Sequence, residues 1–299
     1  MPGISRSAAT MYLIFLVFIW GINWPLTKYA LDFSPPLLFA GIRTLIGGIL
    51  LVGFAIWKRG PLRLKQNWPI YLIASMLNII MYYSFQTIGL QYMPAGLFTA
   101  IVFLQPVLLG VFAWLWLGEA MYPLKIIGLL LGFAGVAAIT TGGISGHVSV
   151  WGLLLAIVSA ISWAGGTIYT KKMAARVDSL WMTAMQVAIG GVVILGTGSM
   201  TESWSDIVWN MPFIFDTLFI SIFVIAVGWL IYFKLIRNGD SAKVGSFMFL
   251  IPLIAIVFSV LFLKEHVTIN LVVGLALVAS SIIVVNRKPG RLKKELPVL

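Results

Sequence analysis

The nine residues Trp20–Lys28, WGINWPLTK, lie in the second half of an apolar run that begins near Ala8. A membrane-spanning helix has little use for Gly, Asn and Pro, yet Gly21, Asn23 and Pro25 stand between and beside two tryptophans. The stretch has a twin. Trp163–Lys171 reads WAGGTIYTK, Trp against Trp and Lys against Lys, and without a gap Ile46–Gly48 (IGG) then meets Ile189–Gly191 (IGG). Further along, FLQP at Phe103–Pro106 matches FLIP at Phe249–Pro252. At the same offset Glu119 meets Glu265 and Gly128 meets Gly274. Apolar sequence yields one such match by chance, but not several in register. The chain reads as two copies of one unit, residues 1–143 and 149–288, followed by a basic tail, 289–299.

Composition says what kind of unit. Of the 299 residues 61% are hydrophobic and 10% charged, and the mean hydropathy is +1.03. A soluble domain has no way to hide so much apolar surface, so the chain is an integral membrane protein. A bilayer core of roughly 30 Å takes about 20 apolar residues as a helix. The runs do not alternate in polarity, which leaves helices. Ten spans are expected, at 8–30, 35–57, 69–90, 95–117, 123–141, 151–171, 180–198, 213–235, 242–263 and 269–286. The longest loops are placed near Lys58–Trp68 and Ser199–Pro212. A cleaved leader is rejected, because the first run outlasts a signal h-region and no A-x-A-like site closes it.

Five spans per unit is an odd number, so the second copy enters the bilayer from the other side. The result is an inverted repeat about an axis in the membrane plane. Two such halves can exchange conformations and move a cavity's mouth from one face to the other, which points to transport. Charge gives the orientation. With a cytoplasmic N-terminus, seventeen Lys and Arg fall on inner segments, only Lys28 and Lys264 on outer ones, and Arg43 inside a span. The net charge of +11 therefore reads as topology plus attraction to anionic lipid, not as a nucleic-acid surface. Both termini are expected in the cytoplasm. Trp57, Trp68, Trp151, Trp181, Trp204 and Trp209 fall near span ends, where an amphipathic ring belongs. Trp20, Trp24, Trp163 and Trp229 do not, and need another explanation.

The first helix FIWGINWPLTK, the arginine in FAGIRTLIGG, the LGE and LKE ends of the fourth and ninth spans and the five-plus-five repeat resemble the drug/metabolite transporter superfamily. Within it the chain is similar to bacterial EamA-type exporters, in particular the aromatic amino-acid exporter branch. The likeness runs from about residue 10 to 288. It implies a basket of helices around a central cavity in the bacterial inner membrane, with the fifth and tenth spans peripheral, and net export of a small solute.

Candidate wall residues follow from helical spacing. Trp20, Asn23, Trp24 and Thr27 share one helix face, and an amide facing lipid is costly, so that face points inward. Asn78, Tyr82 and Gln86 form a second stripe. Ser159, Trp163, Gly166 and Thr170 form a third, with Thr167 beside it, and Trp229 and Tyr232 are three apart in the eighth span. For one such stripe alone, core filling and interhelical glue are the better explanation. Three together favour a shared cavity for a neutral or zwitterionic solute with an apolar or aromatic side chain. Arg43 either meets a substrate carboxylate or gate, or ties to backbone carbonyls as a structural residue. Its repeat position holds Gln186. Pro25, Pro106 and Pro252 leave the carbonyls of Gly21, Val102 and Met248 without a helical donor. Each proline is either a hinge beside water or a static kink. Gly128 and Gly132 permit close helix approach, within the fold or in a homodimer; the chain is expected as a monomer or homodimer.

The chemistry of other classes is missing from the sequence. Absence of cysteine excludes disulfides, iron–sulfur clusters and thiolate metal sites, and no metal or cofactor is expected. No Walker-A pattern occurs, so ATP is not the direct driver. An enzyme would need a nucleophile with a base, or a metal site. His147 and His266 lie in loops, and all nine acids fall in loops or at span ends, with Asp216 the deepest. Facilitated diffusion or exchange is therefore expected, with proton coupling through Asp216 as the alternative.

Overall fold

The computed structural model describes residues 5–93, 95–141, 149–263 and 269–286. His147, Lys264, Glu265, His266 and the tail 289–299 lie outside them. Among the described residues there are ten helices and no strands. They are α1 (Arg6–Ala30), α2 (Pro36–Trp57), α3 (Leu64–Gly89), α4 (Ala95–Val102 with Gln105–Leu117), α5 (Pro123–Thr141), α6 (Val150–Met173), α7 (Ser179–Thr201), α8 (Met211–Asn238), α9 (Ser241–Met248 with Leu250–Leu263) and α10 (Ile269–Asn286). Six of them, α1, α2, α3, α6, α7 and α8, are long and apolar enough to cross a bilayer unbroken. The loops after α2 and α7 are shorter than expected, because α3 begins before Pro69 and α7 runs on to Thr201.

The helices start where local chemistry tells them to. Ser5, Ser149, Asp178, Asn210 and Asp240 each accept a hydrogen bond from a backbone N–H in the first turn of the helix they precede. Proline opens α2 at Pro36, where its missing N–H costs nothing.

The two-fold relation is visible in reciprocal contacts. α2 packs on α7, its repeat mate. A Cβ at Gly48 would come within 2.6 Å of the Ala188 backbone, and a Cβ at Gly191 within 2.6 Å of the Leu45 backbone. Gly48 and Gly191 are repeat mates, and so are Leu45 and Ala188. α5 packs on α10 in the same way: Gly128 faces Ser281 and Val285, while Gly135 faces the Gly274 carbonyl. Gly128 and Gly132 are thus used for packing within the protomer, Gly132 against Phe249 and Ser281.

Trp57, Trp68, Trp151, Trp204 and Trp209 are exposed, as residues at a bilayer boundary should be. Trp181 is not. It is buried and donates its indole N–H to the Gly60 carbonyl at 2.7 Å, tying the start of α7 to the α2–α3 loop.

Candidate functional site

The four tryptophans without an interface position come together at the centre. Trp20 of α1 meets Trp163 of α6 and Trp229 of α8, each with ring centroids 5.6 Å apart and edge-on. Tyr82 of α3 lies 5.1 Å from Trp163, and Tyr232 of α8 lies 5.1 Å from Trp20. Such edge and tilted pairs each contribute about 0.5–1.5 kcal/mol beyond area burial. Between the rings is a cavity of about 20 Å³, walled also by Asn23, Trp24, Tyr83, Phe103 and Val224. That is room for about one water molecule. The solute-sized hollow expected from sequence is closed here, because the side chains meant to line it pack on one another.

Two backbone features bring these rings to one point. Residues Met76–Met81 of α3 and Ile220–Val227 of α8 are π-helical, and each segment ends just before the ring residues Tyr82 and Trp229. The wider turn carries an extra residue and rotates the helix beyond it. It also leaves a carbonyl free to accept from a side chain. The Trp20 indole N–H donates to the Val224 carbonyl at 3.1 Å. Gly228 allows the approach, since a Cβ there would sit 2.5 Å from Trp20 Nε1. The Trp229 indole donates to the Tyr83 hydroxyl at 2.7 Å. The Tyr232 hydroxyl lies 3.2 Å from Thr167 Oγ1 and accepts from Gln105 Nε2 at 3.2 Å.

A polar knot flanks the aromatic cluster on each side. Arg43 is fully buried, donates from its two terminal nitrogens to Thr27 (2.9 Å) and Thr87 (3.1 Å), and has the Phe39 and Tyr83 rings 4.8 and 5.1 Å from its guanidinium carbon. Thr27 in turn donates to Asn23 Oδ1. On the other side Asn78 Nδ2 donates to Thr170 Oγ1 and to Gln186 Oε1, both at 3.0 Å. Thr27 and Thr170 are repeat mates, as are Arg43 and Gln186. The knots occupy equivalent places, but only one carries charge.

The fold, the ring cluster between the halves and the paired knots can be set beside known proteins. The sequence model of the EamA-like transporter family matches residues 7–141 and again 150–287. The chain belongs to this family. An uncharacterized transporter of Bacillus subtilis (strain 168), YvbV, is 58% identical over 96% of this chain and 94% of its own length. A probable amino-acid metabolite efflux pump of Escherichia coli (strain K12) is 25% identical over 88% of this chain and 89% of its own. A solved crystal structure superposes with a TM-score of 0.80, covering 94% of this chain and 97% of that one, at 20% identity, a likeness of fold. An EamA-like chain is a multi-pass membrane transporter and not an enzyme.

The EamA-like frame is strapped at both ends. At the basic end, where α1 starts and α2 stops, Lys171 of α6 donates to Glu119 after α4 at 2.6 Å, to the Gly239 carbonyl at 2.7 Å and to Ser241 Oγ at 3.0 Å. Glu119 also accepts from the Ser241 backbone N–H at 2.9 Å, at the start of α9. Beside it Lys125 pairs with Asp240 at 2.5 Å. At the opposite end Glu202 accepts from the N–H groups of Leu37 and Leu38 at 2.9 and 2.7 Å, at the positive end of the α2 dipole. Lys28 there donates to the Leu90 carbonyl at 2.6 Å.

Of the residues singled out from sequence, Trp20, Asn23, Trp24, Tyr82 and Trp163 line the small cavity. Thr167 and Tyr232 stand directly behind it, and Arg43 and Asn78 lie in the two knots. Gln86 is buried with neither amide atom hydrogen-bonded. Pro25 does not interrupt α1, which runs unbroken from Arg6 to Ala30, and Gly21 serves close packing against Ile254. Pro106 and Pro252 do mark breaks, in α4 around Phe103–Leu104 and in α9 at Phe249. Asp216, placed by sequence at a span end, is the only buried acid among the described residues. Trp229, marked in the sequence by its mid-span position, lines the cavity too, whereas Tyr83, Phe103 and Val224 are cavity residues that the sequence reading did not single out.

Proposed function

We propose that the chain is a passive carrier for small neutral or zwitterionic metabolites, foremost amino acids with aromatic or apolar side chains. It works by alternating access in the bacterial cytoplasmic membrane, with both termini inside and net movement outward. One observation carries the reading: indole and phenol rings from both repeats converge, with amide and hydroxyl groups among them, at the seam where inverted halves would rock. Rings suit an aromatic side chain, and the amide and hydroxyl groups around them suit a solute with a polar end. In this reading the basic end is cytoplasmic, the strap Glu119–Lys171–Ser241 closes the inner mouth, and the breaks before Pro106 and Pro252 flex as it opens. The probable amino-acid metabolite efflux pump of E. coli among the relatives supports the solute class.

The test is uptake by liposomes holding purified protein, with a panel of amino acids, nucleosides and cationic dyes. Trp163→Ala should lower uptake of the preferred solute at least tenfold while protein yield falls much less. Equal uptake by Trp163→Ala, or a preference for dyes over all amino acids, would sink the reading.

Buried Asp216 favours a second reading, a proton-coupled exporter of drugs or nucleotide precursors. A pH gradient that concentrates solute against its own gradient would select it.

A further inference from the structure

We propose that Arg43 and Asp216 together form a head-group site for the zwitterion of an α-amino acid. Arg43 takes the carboxylate and Asp216 the ammonium. The inference rests on the amino-acid reading above and adds the acid that would complete it.

α2 and α8 pack in a readable register. Phe39 meets Phe213 with ring centroids 5.9 Å apart, and two turns on, a Cβ at Gly47 would lie 2.9 Å from the Ser221 carbonyl. Between these contacts fall Arg43 on α2 and Asp216 and Thr217 on α8. The only buried arginine and the only buried acid among the described residues therefore occupy facing positions, at 0% and 7% exposure. Yet they form no ion pair; among the described residues the ion pairs are Lys125–Asp240 and Lys171–Glu119.

Each keeps unused capacity instead. The terminal nitrogens of Arg43 serve Thr27 and Thr87, and its Nε–H donates to nothing. Neither oxygen of Asp216 accepts a hydrogen bond, and the Thr217 hydroxyl has no partner. A buried charge left in this condition is costly. A ligand that presents an acceptor and a donor a few ångströms apart relieves both sides at once. The zwitterion does so: a carboxylate oxygen accepts from Arg43 Nε–H, and ammonium protons go to Asp216 and Thr217. An amine alone or an acid alone satisfies half of the site. Tyr83 links it to the aromatic cluster, since its ring lies 5.1 Å from the guanidinium carbon and also lines the cavity. A side chain held among the indoles would bring its head group to this wall.

The experiment uses the full chain in liposomes and three probes: phenylalanine, phenethylamine without the carboxylate, and 3-phenylpropionate without the ammonium. Wild type should prefer phenylalanine at least tenfold over either half-analogue. Asp216→Asn, which keeps size and polarity, should lose that preference over 3-phenylpropionate. Arg43→Lys should lose the preference over phenethylamine. Ratios within one variant are independent of how much protein folds. An unchanged phenylalanine-to-phenylpropionate ratio in Asp216→Asn overturns the proposal, as does a variant that loses only its response to an imposed pH gradient, which would make Asp216 a proton site. Wild type that moves nucleosides or dyes but none of the three probes would defeat the amino-acid reading itself, and this site with it.

Discussion

Trp20 does two things at once. Its ring touches Trp163 and Trp229 of the second repeat, and its N–H satisfies a carbonyl that a π turn has released. Trp20→Phe keeps an aromatic ring, but a smaller one, and loses the hydrogen bond, so a loss of about 1–3 kcal/mol is expected, seen as a fall in Tm. Trp20→Ala should cost about 3–5 kcal/mol. Glycine offers a cleaner contrast. Gly48→Ala would press on the Ala188 backbone and should cost about 1–3 kcal/mol. Gly53→Ala meets nothing within 4 Å and should be neutral or stabilising by about 0.5–1 kcal/mol. Thermal unfolding in detergent checks both. At this scale sequence picks out Trp20, Trp24, Trp163 and Trp229, because an amphipathic ring in mid-span has no interface to occupy. Val224 leaves no such mark: its contribution is a backbone atom exposed by a turn that composition does not encode.

The elements show where periodicity succeeds and where it fails. Ten apolar runs give the ten helices seen among the described residues, since each backbone group in lipid must be satisfied within its own segment. The paired FLQP and FLIP motifs give breaks in both copies, but each break falls before the proline, which opens the next helical segment. Pro106→Ala should let α4 join into one helix, raise Tm slightly and slow solute flux with little change in the concentration giving half-maximal rate. The π segments 76–81 and 220–227 were not legible, because one extra residue in a uniformly apolar run alters no count. Each wide turn absorbs its extra residue, so deleting Met76, exposed at 47%, should close α3 to ordinary helix and leave Tyr82 and Tyr83 facing inward. Uptake should persist; its loss in a deletion mutant that still accumulates would show that the wide turn itself is needed.

Taken as one body, the molecule is two halves joined along α2–α7 and α5–α10 by small residues, with charged straps at its ends. The chain contains no cysteine, so Glu119→Cys with Lys171→Cys is a clean pair for a bis-methanethiosulfonate crosslinker, whose arm replaces the reach of the two long side chains. Crosslinking should arrest solute flux on the carrier reading and a reductant should restore it. Unaltered flux in the crosslinked protein would show that this mouth need not open. The repeat itself was legible through Trp20 and Trp163, because matched residues at a constant offset survive in apolar sequence. The closed state of the centre was not, because spacing says which side chains meet but not whether they leave room.

That closure has a kinetic meaning. Indoles and phenols fill the middle of the protein tightly enough to leave about 20 Å³, so both gates can shut with the machine's own furniture standing in the passenger's seat. On the carrier reading, this packing lets the empty protein make its return stroke unladen. Net movement down a gradient then needs no solute on the far side: initial influx into vesicles preloaded with solute should be no faster than into vesicles without it.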